Sequence, residues 1–196
     1  VSAKLLPFRR PGAAPTVSEA ALVAACAVGD GEALGALFDL HHREVERFIG
    51  RLAWCNPAEL ADLVQNTFLE VRRAARRFRG ESSVKTWIFS IAVNVARRHA
   101  RSERRRRSLL ADAGVRPLPA VTAVDDVVAH RQQIVRVERA LAELKPELRE
   151  AFVLCDLEDV RGAEAARILG IREGTLWWRL HMARKALRAA CEGEAP

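Results

Sequence analysis

Apolar residues along this chain recur at intervals of three and four almost everywhere, and no stretch keeps the two-residue rhythm of a strand. An all-α fold is therefore expected. The cleanest stripe is Leu60, Leu63/Val64, Thr67/Phe68, Val71, Ala74/Ala75 and Phe78, which predicts one helix over residues 57 to about 78 with Pro57 in its first turn. Its other face carries Glu59, Asp62, Gln65, Asn66, Glu70, Arg73, Arg76 and Arg77. Upstream, a helix is expected from an N-cap at Ser18 to about Val28. A second starts near Asp30 and buries Leu34, Leu37, Phe38, Val45, Phe48, Ile49 and Leu52. After the break at Gly80-Glu81-Ser82-Ser83, a fourth helix turns Trp87, Ile88, Ile91, Ala92 and Val95 inward. It then runs into Arg97, Arg98, Arg101 and the arginines at 104–107, a series that cannot face a core.

The pattern then lapses. Residues 108–126, with Gly114, Pro117, Pro119 and small side chains, read as a flexible linker, and residues 1–16, with Pro7, Pro11, Gly12 and Pro15, as a loose tail. Between and beyond them lie two small helical domains, 17–107 and 127–192. The second is expected to hold a helix over 127–144, another from Pro146 to near Asp156, a short one over 162–169, and a last one from about Glu173 to Ala190.

The end of that second domain has the layout of a helix-turn-helix. Ala166 is small where two helices pack closely, Gly170 permits the positive φ that ends the first helix, and Thr175 suits the start of the second. A helical hairpin with no role on DNA has the same layout. On the last helix, Leu176, Leu180, Ala183 and Leu187 share one stripe and are expected to be buried. At about 100° per residue, Trp178, His181, Met182 and Lys185 fall opposite, flanked by Trp177, Arg179, Arg184 and Arg188. Trp177 and Trp178 fit either a nucleic-acid or protein interface, or packing against a neighbouring helix.

Charge sharpens this picture. Among 196 residues, 32 Lys and Arg against 25 Asp and Glu give a formal charge of +7, which favours a polyanionic partner. Nearly all of the positive charge is Arg, whose planar fork grips phosphate, although a GC-rich genome produces the same bias. The four cysteines, Cys26, Cys55, Cys155 and Cys191, form no CxxC pair and read as reduced core residues. His41 and His42 are adjacent and point apart, and no Cys/His spacing fits a zinc site, so no metal and no cofactor are expected. No segment approaches the ~20 apolar residues that span a bilayer. The Lys4, Arg9, Arg10 cluster precedes Pro11-Gly12 rather than an apolar stretch. A soluble, cytoplasmic protein without membrane insertion is expected.

Taken in order, the motifs resemble those of bacterial extracytoplasmic-function sigma factors, the small two-domain group of the sigma-70 family, along roughly residues 18–190. Gly29-Asp30-Gly31-Glu32-Ala33-Leu34 is similar to the family's opening helix, and Asp62-Leu63-Val64-Gln65-Asn66-Thr67-Phe68 to its core-binding helix. Phe78-Arg79-Gly80-Glu81-Ser82 and Thr86-Trp87-Ile88-Phe89-Ser90-Ile91-Ala92-Val93-Asn94 resemble the promoter-melting segment. Leu144-Lys145-Pro146-Glu147-Leu148-Arg149 and the run from Gly174-Thr175 to Leu187 resemble the −35 domain.

The resemblance implies an alternative sigma factor that binds core RNA polymerase and directs promoter-specific initiation, with no catalytic activity of its own. It implies that Asp62, Gln65 and Asn66 meet a coiled coil of the polymerase's largest subunit, with the flap as a further contact. Gly80, Glu81, Ser82, Ser83 and Asn94 would capture a flipped base of the −10 element, with Arg97, Arg98 and Arg101 on adjacent phosphates. Thr175, Trp178, Arg179, His181, Met182, Arg184 and Lys185 would read the −35 duplex. An anti-sigma factor is an expected partner beside polymerase and promoter DNA. Trp87 and Phe89 lie next to the −10 loop, although Trp87 also fits a core anchor.

The chain departs from the family pattern at several points. Both 177 and 178 are Trp, Met182 stands where a basic residue is common, Gly162 and Ala165 replace the usual aromatic and isoleucine, and Asn66 replaces Glu. Trp178 and Met182 are suited to thymine methyls rather than guanine edges. A stand-alone helix-turn-helix repressor, or a degenerate copy that only titrates a partner, are the rival readings.

Overall fold

The computed structural model describes residues 18–53, 55–112 and 130–192. Among them are eight α-helices and no strand. α1 (Glu19–Ala27) starts at Ser18, whose Oγ accepts from the Ala21 N–H, and α2 (Gly31–Leu52) starts at Asp30, whose carboxylate accepts from the Glu32 and Ala33 N–H groups. α3 (Pro57–Ala74) opens on a reciprocal cap: Glu59 N–H donates to Asn56 Oδ1 at 2.9 Å, and Asn56 N–H donates to Glu59 Oε2 at 3.1 Å. It ends in a 3₁₀ turn over Ala75–Arg77, so the helix expected to reach Phe78 tightens one turn early.

α4 (Val84–Asp112) is the longest helix. It carries five residues of the expected linker, 108–112, in helical form, because no Gly or Pro interrupts the chain before Gly114. The rest of that linker lies outside the described residues, as do the N-terminal tail and the expected start of the next helix at 127–129. α5 (His130–Glu143), α6 (Pro146–Phe152), a single π turn (Val153–Leu157), α7 (Gly162–Leu169) and α8 (Glu173–Glu192) follow.

The first half packs α1 to α4 around Leu37, Val45, Phe48, Ile49, Val71, Ile88, Ala92 and Val93, all essentially inaccessible. Phe89 is a correction: expected beside the −10 loop, it is 1% exposed and stacks on Phe48 at 4.2 Å. Trp87 is half-buried, its ring 4.9 Å from Phe78. The second half packs Leu141, Leu144, Val153, Leu154, Ala165, Leu169, Leu176 and Leu180. The expected α8 stripe of Leu176, Leu180, Ala183 and Leu187 is buried throughout.

The halves meet along α2 and α4. Arg149, 7% exposed, donates to the carbonyls of Leu141, Ala142 and Leu144, where α5 ends, and to the Leu52 carbonyl at the end of α2. One guanidinium thus satisfies the orphan C=O groups of two helix ends. Its burial pulls its pKa down, opposed by Glu150. Glu158, beside the π turn, accepts from Arg51 at 3.1 Å and lies 3.7 Å from Lys85.

Candidate polymerase and promoter-DNA interfaces

On α3 the inward stripe, Leu63, Val64, Thr67, Phe68 and Val71, is buried, and Thr67 Oγ1 donates to the Leu63 carbonyl at 2.8 Å. Phe68 is core, edge-on to Phe38 at 4.9 Å. The helix therefore turns Asp62, Gln65 and Asn66 outward together, and all three are exposed. Leu69 joins them at 49% exposure, an apolar centre for this polar face. The expected site omitted it, although at about 100° per residue it falls almost directly above Asp62 and off the buried stripe.

The loop at 80–83, expected to meet the −10 element, has a defined geometry. Gly80 has φ +71°, a conformation that a side chain resists. Ser83 Oγ accepts from the Thr86 N–H at 3.1 Å and closes the first turn of α4. Ser82 is half-buried, and Glu81 and Ser83 are exposed. Next to the loop is a cavity of about 330 Å³ whose lining includes Phe78, Glu81, Ser82, Trp87 and Asn94. Asn94 is exposed, and its Nδ2 donates to the Ser90 carbonyl at 3.0 Å. The cavity combines aromatic surface with an amide edge. Its far side is closed by α7, where Arg167 reaches Glu81 at 3.0 Å.

The arginines of α4 divide. Arg101 is exposed, and Arg98 is exposed with Glu70 at 3.3 Å. Arg97 is half-buried in a two-point pair with Glu150 of α6, both N···O distances 2.7 Å. Those hydrogen bonds push its guanidinium further above its ordinary range, against the effect of burial. Among the expected −10 residues, Arg97 is thus held by the other half.

In the second half, Gly170 takes φ +69°, and the N–H groups of Gly170 and Ile171 return to the carbonyls at the end of α7. Ala165 and Ala166 are buried where α7 and α8 meet. Thr175, Trp178, His181, Arg184 and Lys185 are exposed, and Met182 is half-buried. Arg184 is gripped by Asp156 at 2.6 and 2.8 Å. Arg179 stands apart from this face: it is half-buried and lines a cleft of about 480 Å³ between the halves, together with Arg97, Arg101, Arg104, Glu147 and Glu150. Burial raises the thiol pKa values of Cys26, Cys55 and Cys155, which keeps them in the unreactive thiol form. Among the described residues no helix is long and apolar enough to cross a membrane.

Sequence patterns for Sigma-70 region 2 and Sigma-70 region 4 match residues 37–106 and 134–187. The ECF RNA polymerase sigma factor SigM of Mycobacterium tuberculosis is 35% identical over 170 residues, covering 87% of this chain and 83% of its own. The sigma factor SigC of the same species is 34% identical over 172 residues, covering 88% and 90%. Among solved structures, CnrH in complex with the cytosolic domain of CnrY superposes with a TM-score of 0.65 at 23% identity, over 90% of this chain and 99% of that one. RpoE in complex with the anti-sigma factor NepR from Bartonella quintana gives 0.64 at 23% identity, over 82% and 98%. These two structures are similar in fold.

Proposed function

The chain belongs to the extracytoplasmic-function sigma factors of the sigma-70 family, and on that premise we propose how its residues divide the work of an alternative sigma factor directing promoter-specific transcription. Asp62, Gln65 and Asn66, with Leu69 at their centre, dock on the coiled coil of the polymerase's largest subunit, and the second half engages the flap. The loop 80–83 and Asn94 take one flipped −10 base into the cavity against Phe78 and Trp87, while Arg98, Arg101 and Arg97 hold the strand's phosphates. Trp178, His181, Met182 and Lys185 address base edges of the −35 duplex, with Thr175 and Arg184 on its backbone, while Arg179, expected to join them, lies in the cleft between the halves. RNA synthesis stays with the polymerase, and the chain supplies specificity and melting from the cytoplasm. The relatives CnrH and RpoE were solved with CnrY and the anti-sigma factor NepR respectively. We extend to this chain a partner of that kind.

The observation that carries this reading is the cavity of about 330 Å³ between loop and basic helix, lined by aromatic rings and an amide. Its test is a fork-junction template from a mapped start, with 2-aminopurine placed at successive −10 positions. Core polymerase with this chain is expected to raise fluorescence at one position, and Asn94→Ala is expected to lose most of that signal while polymerase binding persists. Equal fluorescence from wild type and Asn94→Ala at every position would refute the capture assignment.

A further inference from the structure

Trp177 and Trp178 are consecutive on α8 and are 51% and 59% exposed, but Trp177 also rests against the partner helix of the motif. A Cβ built on Gly162 would fall 2.5 Å from Trp177 Cζ2, 2.9 Å from Cη2 and 3.3 Å from Cε2. The six-membered ring of the indole therefore lies directly against the Gly162 α-carbon, and any side chain there would force the ring to move.

The backbone does not ask for glycine there. Gly162 is the first residue of α7 and its φ lies outside the left-handed region, so alanine would suit the helix better. The demand comes from the ring. α7 has only eight residues and its N-terminus has no side-chain cap, whereas its C-terminus is fastened to α8 through the Gly170 turn. The indole joins this uncapped end of α7 to the stretch of α8 where the outward face begins.

The geometry points to Gly162 and Trp177 as a clamp that fixes the angle between the two helices of the motif, and so the depth at which Trp178 and Met182 meet −35 base edges. Trp177 is a positioning residue and Trp178 a specificity-determining one. The inference rests on the reading of α8 as the −35 reader. It also accounts for two departures from the family pattern at once, since the glycine and the tryptophan complement each other across the helix pair.

The test uses the full chain with core polymerase, a duplex library randomised over the −35 element on a constant −10 fork, and sequencing of the bound fraction. Gly162→Ala and Trp177→Ala are each expected to lower enrichment of the wild-type motif about tenfold, the scale of one lost base-pair discrimination, with binding to the fork alone unchanged. The double variant is expected to be no worse than Trp177→Ala, because the clash has gone. Gly162→Phe with Trp177→Ala returns a ring to the gap from the other helix and is expected to regain the motif. Trp178→Ser is expected to change the preferred base without lowering the melting temperature.

An unchanged motif in Gly162→Ala and Trp177→Ala would overturn the clamp, as would losses that multiply in the double variant. If Gly162→Ala fails to fold, Trp177→Ala decides the matter, since it removes contact without adding a clash. A wild-type holoenzyme that selects no −35 motif, yet binds the fork, would refute the −35 reading itself and the clamp with it.

Discussion

Trp178, His181 and Lys185 stand exposed on a helix finished within its own half, its stripe of leucines buried and its arginine Arg184 fastened to Asp156 nearby. The α4 face is organised differently. Arg97 is shared with Glu150, and the loop residue Glu81 with Arg167, both from the second half. The α8 face thus takes its carboxylate partner, Asp156 on Arg184, from its own half, whereas the partners of Arg97 and Glu81 come from the other half. A phosphate that reaches Arg97 must take the place of Glu150, whose side chain is 11% exposed, and the exchange of one oxyanion for another gains little net free energy. Trp178, His181 and Lys185 need no such exchange, whereas Arg184 must leave Asp156 as Arg97 leaves Glu150, and this contrast can be tested residue by residue.

The largest effect is expected from Arg97→Ala, Arg98→Ala and Arg101→Ala together. Start-specific RNA should fall to background, and the salt slope of binding to −10 single strand should drop by about 2, near 0.7 per lost phosphate contact. Binding to −35 duplex should be unchanged, and a parallel loss on both probes would erase the distinction between the surfaces. Next is Glu150→Gln, which leaves Arg97 without its charged partner. Affinity of the free chain for −10 strand should rise about fivefold, as for a pair of about 1 kcal/mol, with −35 binding unaffected in a filter-binding titration.

Trp178→Ser should alter discrimination at one −35 base pair by about 1–3 kcal/mol. Because Trp178 is largely exposed, stability should stay within about 0.5 kcal/mol of wild type in thermal melts. The smallest effect concerns acid. Burial alone would raise the Glu44 pKa, but hydrogen bonds from Lys85 and His41 outweigh it and hold the carboxyl below its ordinary range. A carboxyl depressed on folding contributes stability that is full above the unfolded value, about 4.3. That contribution is lost as pH falls through the folded value. The difference in melting temperature between wild type and Lys85→Ala should accordingly be present at pH 7 and shrink on acidification below about pH 4.3.

Much of the fold was legible because its determinants are local. The stripes of α3 and α8, the caps at Ser18 and Asp30 and the turn at Gly170 are all set by residues within a few positions of one another. What stayed hidden depends on distant segments. Glu150 lies 53 positions from Arg97 and Arg167 lies 86 from Glu81, so no periodicity reveals either pair. Phe89 looked available to the loop because α4 was assigned too narrow a buried face, whereas packing of α2 and α3 on that helix encloses it. Gly162 looked like a poor helix residue until the Trp177 ring was found against it. Leu69 was readable from the helical wheel, one heptad after Asp62, but the outward face was drawn from polar residues alone.

Run-off transcription with purified core polymerase, on DNA from upstream of the chain's own gene, tests the central claim most directly. Start-specific transcripts are expected that require this chain and vanish when Arg97, Arg98 and Arg101 are replaced by alanine. Wild-type levels of the same transcripts from the triple variant, still bound to core polymerase, would contradict that claim.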